Sequence, residues 1–336
     1  MTPQDLTLQD VYRARQRIAP LVRETPLLAS SALSKQVGAS VYLKLETLQP
    51  TGAFKVRGAA NKILGLAPEA RARGVVTVST GNHGRAVAHV ARESEIDAVV
   101  CISERVPANK IAALRDLGPE LVIHGHGQDD AAVRAEALRR ERGLEMVHPF
   151  DDPQIIAGQG TLGLEIAEAL PAVDTVVVPL SGGGLISGVA LALKAISPAI
   201  RVVGVSMERG AVMYESLQAG RPLELREEET LADSLLGGIG LDNRYTFQLV
   251  QQYVDDVILV SEEQIAAAMA FLLFEERLVV EGAGAVGVAA LLAGAVDGRP
   301  GQNIAVVLSG GNVSVPRLLE IARQYELEKR EASPDH

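Results

Sequence analysis

Lys55 lies in the stretch QPTGAFKVRG (49–58), directly after Phe54 and just past the turn Thr51-Gly52. The residues before it, VYLKLETL, read as a strand, and those after it, VRGAANKILGLA, read as a helix. Lys55 and Arg57 therefore load a helix start with positive charge, where the macrodipole disfavours it. A structural cation gains nothing there. A nucleophilic amine does, because the same field pushes it toward the neutral form that imine chemistry needs.

Glycine-containing loops supply the other groups that could do chemistry. SGGGL is Ser181, Gly182, Gly183, Gly184 and Leu185, and it follows the apolar run DTVVVPL. Its glycines let the backbone approach a ligand, and the helix after it aims free N–H groups at the loop, as a phosphate site requires. A tight strand–helix turn needs fewer glycines and no serine, so the anion site is the better reading. STGNH is Ser79, Thr80, Gly81, Asn82 and His83, after GVVTVS. Its hydroxyls, amide and helix start suit a carboxylate, and equally a simple N-cap. SGGN begins at Ser309 and follows NIAVVLS. GAGAVG (282–287) matches the dinucleotide pattern, but the next strand ends in Ser309 and not in the acid that a ribose needs. Those glycines are expected to serve close helix–sheet packing.

The elements that must hold these loops are apolar, β-branched runs: GVVTVS, IDAVVCIS, ELVIH, DTVVVPL, IRVVGVS, DDVILVS and NIAVVLS. Helical stretches such as ANKIAALRDLG and DAAVRAEALRRERGL alternate with them. That alternation predicts an α/β fold with parallel sheet covered on both faces. The stretch LELREEET (223–230) reads as a solvated loop, and the charged end ELEKREASPDH as a fraying tail.

Composition narrows the function. The net charge of −10 argues against a nucleic-acid partner. No run is long and apolar enough to cross a bilayer, and the N-terminus lacks the regions of a signal peptide. A cytoplasmic protein is expected. The one cysteine, Cys101, sits in AVVCIS and reads as a buried strand thiol. His124 and His126 lie near no ligand cluster, and no G-x-S-x-G elbow occurs.

A lysine on a strand–helix turn, a phosphate loop far along the chain and two hydroxyl–amide loops together suit pyridoxal phosphate. Spacing alone does not prove it. The sequence resembles the tryptophan-synthase-β-like (fold type II) pyridoxal-phosphate enzymes, within them the threonine/serine dehydratase and serine racemase family. The resemblance runs from about residue 7 to about 319. It rests on RETPLL, VYLKLETLQPTGAFKVRGA, STGNHGRAVA, HPFDDPQIIAGQGT, PLSGGGLISG, VVEGAGAVGVAAL and SGGN, in that order. LETLQPTGAFK, STGNHGR, PLSGGGL, GVSMERG and GGIGLDNRYTF together further resemble the hydroxyectoine-utilisation dehydratases.

The resemblance implies two open doubly wound sheets, the smaller domain inserted in the larger. The large cofactor domain would comprise 1–73 and 152–325, the small substrate-loop domain 74–151, and 326–336 a tail. Lys55 would form the Schiff base, Phe54 would pack beside the cofactor ring, and Asn82 would bond the ring hydroxyl. Ser181, Gly182, Gly183, Gly184 and Leu185 would bind the phosphate, Ser309 would face the pyridine nitrogen, and Glu281 would lie near the ring. Ser79, Thr80, Gly81, Asn82 and His83 would surround the substrate carboxylate. The implied reaction is β-elimination of water from a small β-hydroxy amino acid, giving a 2-oxo acid and ammonia, in a homodimer.

Two positions depart from the family pattern. Thr80 stands where dehydratases often carry Ala and racemases Ser, which keeps amino-acid racemisation as an alternative. Ser206 and Val212 stand where the racemase-type metal site has acids, so no divalent metal is expected there. A nicotinamide-dependent oxidoreductase built on GAGAVG, or a non-enzymatic sensor, are the remaining rivals.

Overall fold

The computed structural model describes residues 2–106 and 108–332. Among them, ten strands form two sheets: β1 (Leu27–Ser30), β2 (Ser40–Leu45), β3 (Val75–Val78), β4 (Ala98–Ile102), β5 (Glu120–Ile123), β6 (Glu145–Met146), β7 (Thr175–Pro179), β8 (Arg201–Met207), β9 (Asp256–Val260) and β10 (Asn303–Leu308). The larger sheet has the order β1-β2-β10-β7-β8-β9 and the smaller β5-β4-β3-β6. Every pairing is parallel except β1 with β2. The two parallel-rich sheets expected from the resemblance are therefore present. All strands of the smaller sheet lie between Val75 and Met146.

Alternation along the central strands divides the core into two layers. Val177, Val203, Val205 and Val306 pack with residues of the helices Glu262–Phe274 and Gly282–Leu292. Val176, Val178, Val202 and Val307 pack on the opposite face with the helices Pro153–Ala169 and Gly184–Ile196. Strand β7 is buried at every position, which explains its uninterrupted apolar run. Cys101 is fully buried in β4, and burial pushes its thiol up to about 11.

Seven of the strands coincide with the apolar runs, and β2 with VYLKLETL. β1 and β6 went unpredicted. β1 is a four-residue antiparallel edge with two exposed positions, and β6 has two residues. The GAGAVG glycines pack as expected. A Cβ on Gly284 would lie 2.6 Å from the carbonyl of Gly310, and one on Gly287 would lie 2.8 Å from Val306 of β10. The 223–230 loop is irregular and mostly exposed. The helix Val315–Ala332 crosses residue 325 and carries the expected tail as far as 332; residues 333–336 lie outside the described residues.

Arg57 answers the question raised by its charge. It is fully buried and forks between Glu46, at 2.8 Å through Nε and Nη2, and Glu165, at 2.5 Å and 2.7 Å. Lys44 Nζ joins Glu165 at 2.5 Å. Two cations and two carboxylates thus balance beneath the helix Lys55–Leu64. Burial pushes the Glu46 carboxyl up, but Arg57 more than offsets this and holds it below its ordinary range.

Candidate active site

Strands β2, β10 and β7 are neighbours in the larger sheet, and each delivers one loop from its carboxyl end. β2 leads to the Lys55 turn, β10 to Ser309 and β7 to Ser181–Leu185. This is where open α/β sheets place ligands. The first two loops are zipped together. The Phe54 N–H donates to Ser309 O at 3.0 Å, and the Gly311 N–H donates to Gly52 O at 2.9 Å. Strand β3 of the smaller sheet delivers the Ser79–His83 loop to the same place.

The loops enclose a cavity of about 1380 Å³. Every residue assigned above to cofactor or substrate lines it: Phe54, Lys55, Ser79, Thr80, Gly81, Asn82, His83, Ser181, Gly182, Gly183, Gly184, Leu185, Glu281 and Ser309.

Lys55 is the first residue of its helix, whose first turn carries no acid. Its Nζ donates to the Pro149 carbonyl at 2.8 Å and lies 5.3 Å from the Phe54 ring centroid. No carboxylate forms an ion pair with it among the described residues. Burial pushes its ammonium down to about 8.

His83 is buried, and its Nε2 donates to Val147 O at 2.9 Å. Burial first, and then the charge of Lys55, pushes its pKa down to about 3, so the ring is neutral. His148 accepts main-chain N–H bonds from Phe150 and Asp151 on Nδ1, and burial lowers its pKa as well. Two neutral imidazoles near Lys55 add no competing charge.

The glycine loop has the form of an anion cradle. Gly183 adopts φ +85°. A Cβ on Gly182 would lie 2.4 Å from the Phe150 ring, so the loop and that ring fit only without one. No side chain caps the first turn of the helix Gly184–Ile196. Its N–H groups and the positive end of its dipole suit a phosphate. The Ser181 hydroxyl donates to Leu235 O at 2.8 Å.

Asn82 Nδ2 donates to Glu281 Oε1 at 2.6 Å. Glu281 is buried; burial pushes its carboxyl up to about 7, against the lowering effect of the Asn82 bond. Ser79 Oγ accepts from the Gly81 N–H at 3.3 Å. An amine of lowered pKa, an uncapped glycine helix start, an amide and a serine hydroxyl in one cavity fit pyridoxal phosphate as a donor set.

Several lining residues carried no role in the sequence reading. Pro149 receives Lys55, and Phe150 packs on the glycine loop. Asp151 accepts the N–H groups of Arg244, Tyr245 and Thr246 at 2.8–2.9 Å, tying the segment after β6 to the loop at 237–246. The motif HPFDD was visible, but its partners are 93 to 95 residues away. Ser206 and Val212 are buried, Ser206 against Met207. No cluster of metal-ligating side chains occurs among the described residues.

Residues 18–310 match the family model described as pyridoxal-phosphate dependent enzyme. A Sinorhizobium fredii protein described as a threonine dehydratase is 51% identical over 93% of this chain and 93% of its own. The L-threonine ammonia-lyase of Thermotoga maritima is 45% identical over 92% of this chain and 76% of its own. Maize serine racemase superposes with a TM-score of 0.89 at 36% identity, covering 97% of this chain and 99% of that one. With matching motifs, matching sheets and a cavity that suits the cofactor, the chain belongs to the pyridoxal-phosphate-dependent enzyme family, as a fold type II lyase of the threonine dehydratase and serine racemase group.

Proposed function

We propose that the protein is an ammonia-lyase that removes water from a small β-hydroxy amino acid, threonine- or serine-like, and releases a 2-oxo acid and ammonia. The observation that carries this reading is the amine of Lys55, lowered to about 8 and in no ion pair with a carboxylate among the described residues, in a cavity that also holds the glycine cradle. At pH 7 such an amine is neutral about one time in ten, against roughly one in three thousand at its ordinary pKa.

Pyridoxal phosphate, when bound, supplies an aldehyde that condenses with amines and a ring that spreads negative charge away from the α-carbon. Lys55 would hold that group, and as a neutral amine it would take the α-proton. The N–H groups of Ser181–Leu185 would hold the phosphate, and the Phe54 ring would brace the ring system. Asn82 would donate to the ring oxygen, with Glu281 behind it. The hydroxyls of Ser79 and Thr80, the Gly81 backbone and the main-chain N–H groups of Asn82 and His83 at the helix start would receive the substrate carboxylate. Ser309 would face the pyridine nitrogen with a hydroxyl, which would not keep that nitrogen protonated as a carboxylate would. The charge sink would then be weaker, which would favour loss of the β-hydroxyl.

A finer reading, a hydroxyectoine-derived amino acid as substrate, rests on the motif GGIGLDNRYTF. Its residues 237–240 and 242–245 line the cavity, a position from which they can select the substrate side chain. Racemisation is the second reading, favoured by the Thr80 hydroxyl in the same cavity. If Thr80 serves as its acid or base, Thr80→Ala lowers racemisation far more than elimination. The reading includes the domain division at 74 and 151, a cytoplasmic location and a homodimer. The test is a 2-oxo-acid release assay across a panel of β-hydroxy amino acids. Release from at least one member, with one ammonia per 2-oxo acid, is expected; none from any member overturns the reading.

A further inference from the structure

Asn312 belongs to the SGGN loop but has no part in the roles above. Its Nδ2 donates to Thr51 O at 2.8 Å and to Asn82 Oδ1 at 2.7 Å. Thr51 O is a main-chain carbonyl and only accepts, so the nitrogen end of Asn312 must lie on that side. Asn82 is thereby met by a donor and answers with its oxygen. Its nitrogen then points at Glu281 Oε1, an acceptor, at 2.6 Å.

The orientation of Asn82 is thus fixed from both ends. Turned by half a rotation, its oxygen would face the Glu281 oxygen and its nitrogen would face the Asn312 nitrogen. The contact with Asn312 would be mismatched in a buried place, and the contact with Glu281 likewise whenever that carboxyl is ionised. The turn before Lys55 is shaped around this residue, since a Cβ on Gly52 would lie 2.7 Å from Asn312 Oδ1. An amide nitrogen carries two hydrogens. Glu281 takes one, and the other has Ser234 Oγ at the long distance of 3.5 Å.

We propose that Asn312 is a positioning residue that holds the Asn82 amide nitrogen-first, so that the cavity offers an N–H to a negatively charged oxygen of the cofactor ring. The inference rests on the cofactor-binding role given to Asn82 above. It makes Asn312 act through Asn82 and not through the stability of the loop.

A double-mutant cycle separates these, with the full chain titrated with pyridoxal phosphate and its absorbance band followed against pH. Asn312→Ala is expected to weaken cofactor binding by about tenfold or more and to shift the pH dependence of the band. In the Asn82→Ala background the same change is expected to alter affinity by less than about twofold, because the residue it orients is gone. If Asn312→Ala gives no cooperative thermal transition, Asn312→Asp, of equal size, is taken through the same cycle with the same expectation. Wild-type binding and pH dependence in the Asn312 variant overturn the proposal. So does an equal loss in the Asn82→Ala background, which would mark a merely structural role. A wild-type chain that shows no band with pyridoxal phosphate removes the cofactor reading and this inference with it, whereas a normal band with an unaffected variant removes this inference alone.

Discussion

Glu281 accepts a 2.6 Å hydrogen bond from the side-chain amide of Asn82, a residue 199 positions earlier in the chain. The bond joins the loop after β3 in the smaller sheet to the helix start at Gly282 beside the larger one. It makes a buried carboxyl, with a pKa of about 7, part of the cavity wall.

That carboxyl gives a pH prediction. Its folded-state pKa lies above the ordinary 4.5, so the folded protein binds the extra proton between about 4.5 and 7. The contribution to stability is present below that window and is lost as pH rises through it. Buried His83, lowered to about 3, adds an opposing rise up to about pH 6.5, so the test is the difference: from pH 5 to pH 8 the cofactor-free wild type should lose melting temperature relative to Glu281→Gln. An unchanged slope in the variant would show that Glu281 does not titrate there.

Arg57 is the hub of the buried network with Glu46, Glu165 and Lys44. Arg57→Ala leaves two carboxylates facing a single cation, and should cost about 3–5 kcal/mol in urea unfolding. Arg57→Lys should recover only part of this, because one ammonium cannot fork to both acids. A loss below about 1 kcal/mol for the alanine variant would mean that water reaches the network.

The glycine cradle predicts a loss confined to cofactor binding. Gly183 has φ +85°, and a Cβ there would also lie 2.9 Å from the Met213 methyl. Gly183→Ala should bend the loop and weaken pyridoxal phosphate binding by about tenfold or more, read by absorbance titration. Binding equal to wild type would place the phosphate elsewhere.

The parts of the site legible in the sequence were those carried by single loops. Lys55, Ser79–His83, Ser181–Leu185 and Ser309 each follow an apolar strand that the residues themselves announce. They converge because β2, β10 and β7 are adjacent, and that adjacency is invisible to local pattern. Asn312, Asp151 and Arg57 stayed hidden for the same reason. Asn312 pairs with Asn82 across 230 residues, and Arg57 with Glu165 across 108. The oddity of a buried arginine at a helix start was on display, but its partners were not. The edge strand β1 was missed because its two exposed positions give it no buried run.

The account turns on Lys55 as the amine that holds the cofactor, and borohydride trapping tests this most directly. The purified holoprotein is reduced, digested and mapped by peptide mass. The pyridoxyl phosphate mass is predicted on the peptide that contains Lys55, and Lys55→Ala should fold normally yet carry no label and release no 2-oxo acid. Label on Lys44, Lys62 or Lys110, or full turnover by Lys55→Ala, would contradict it.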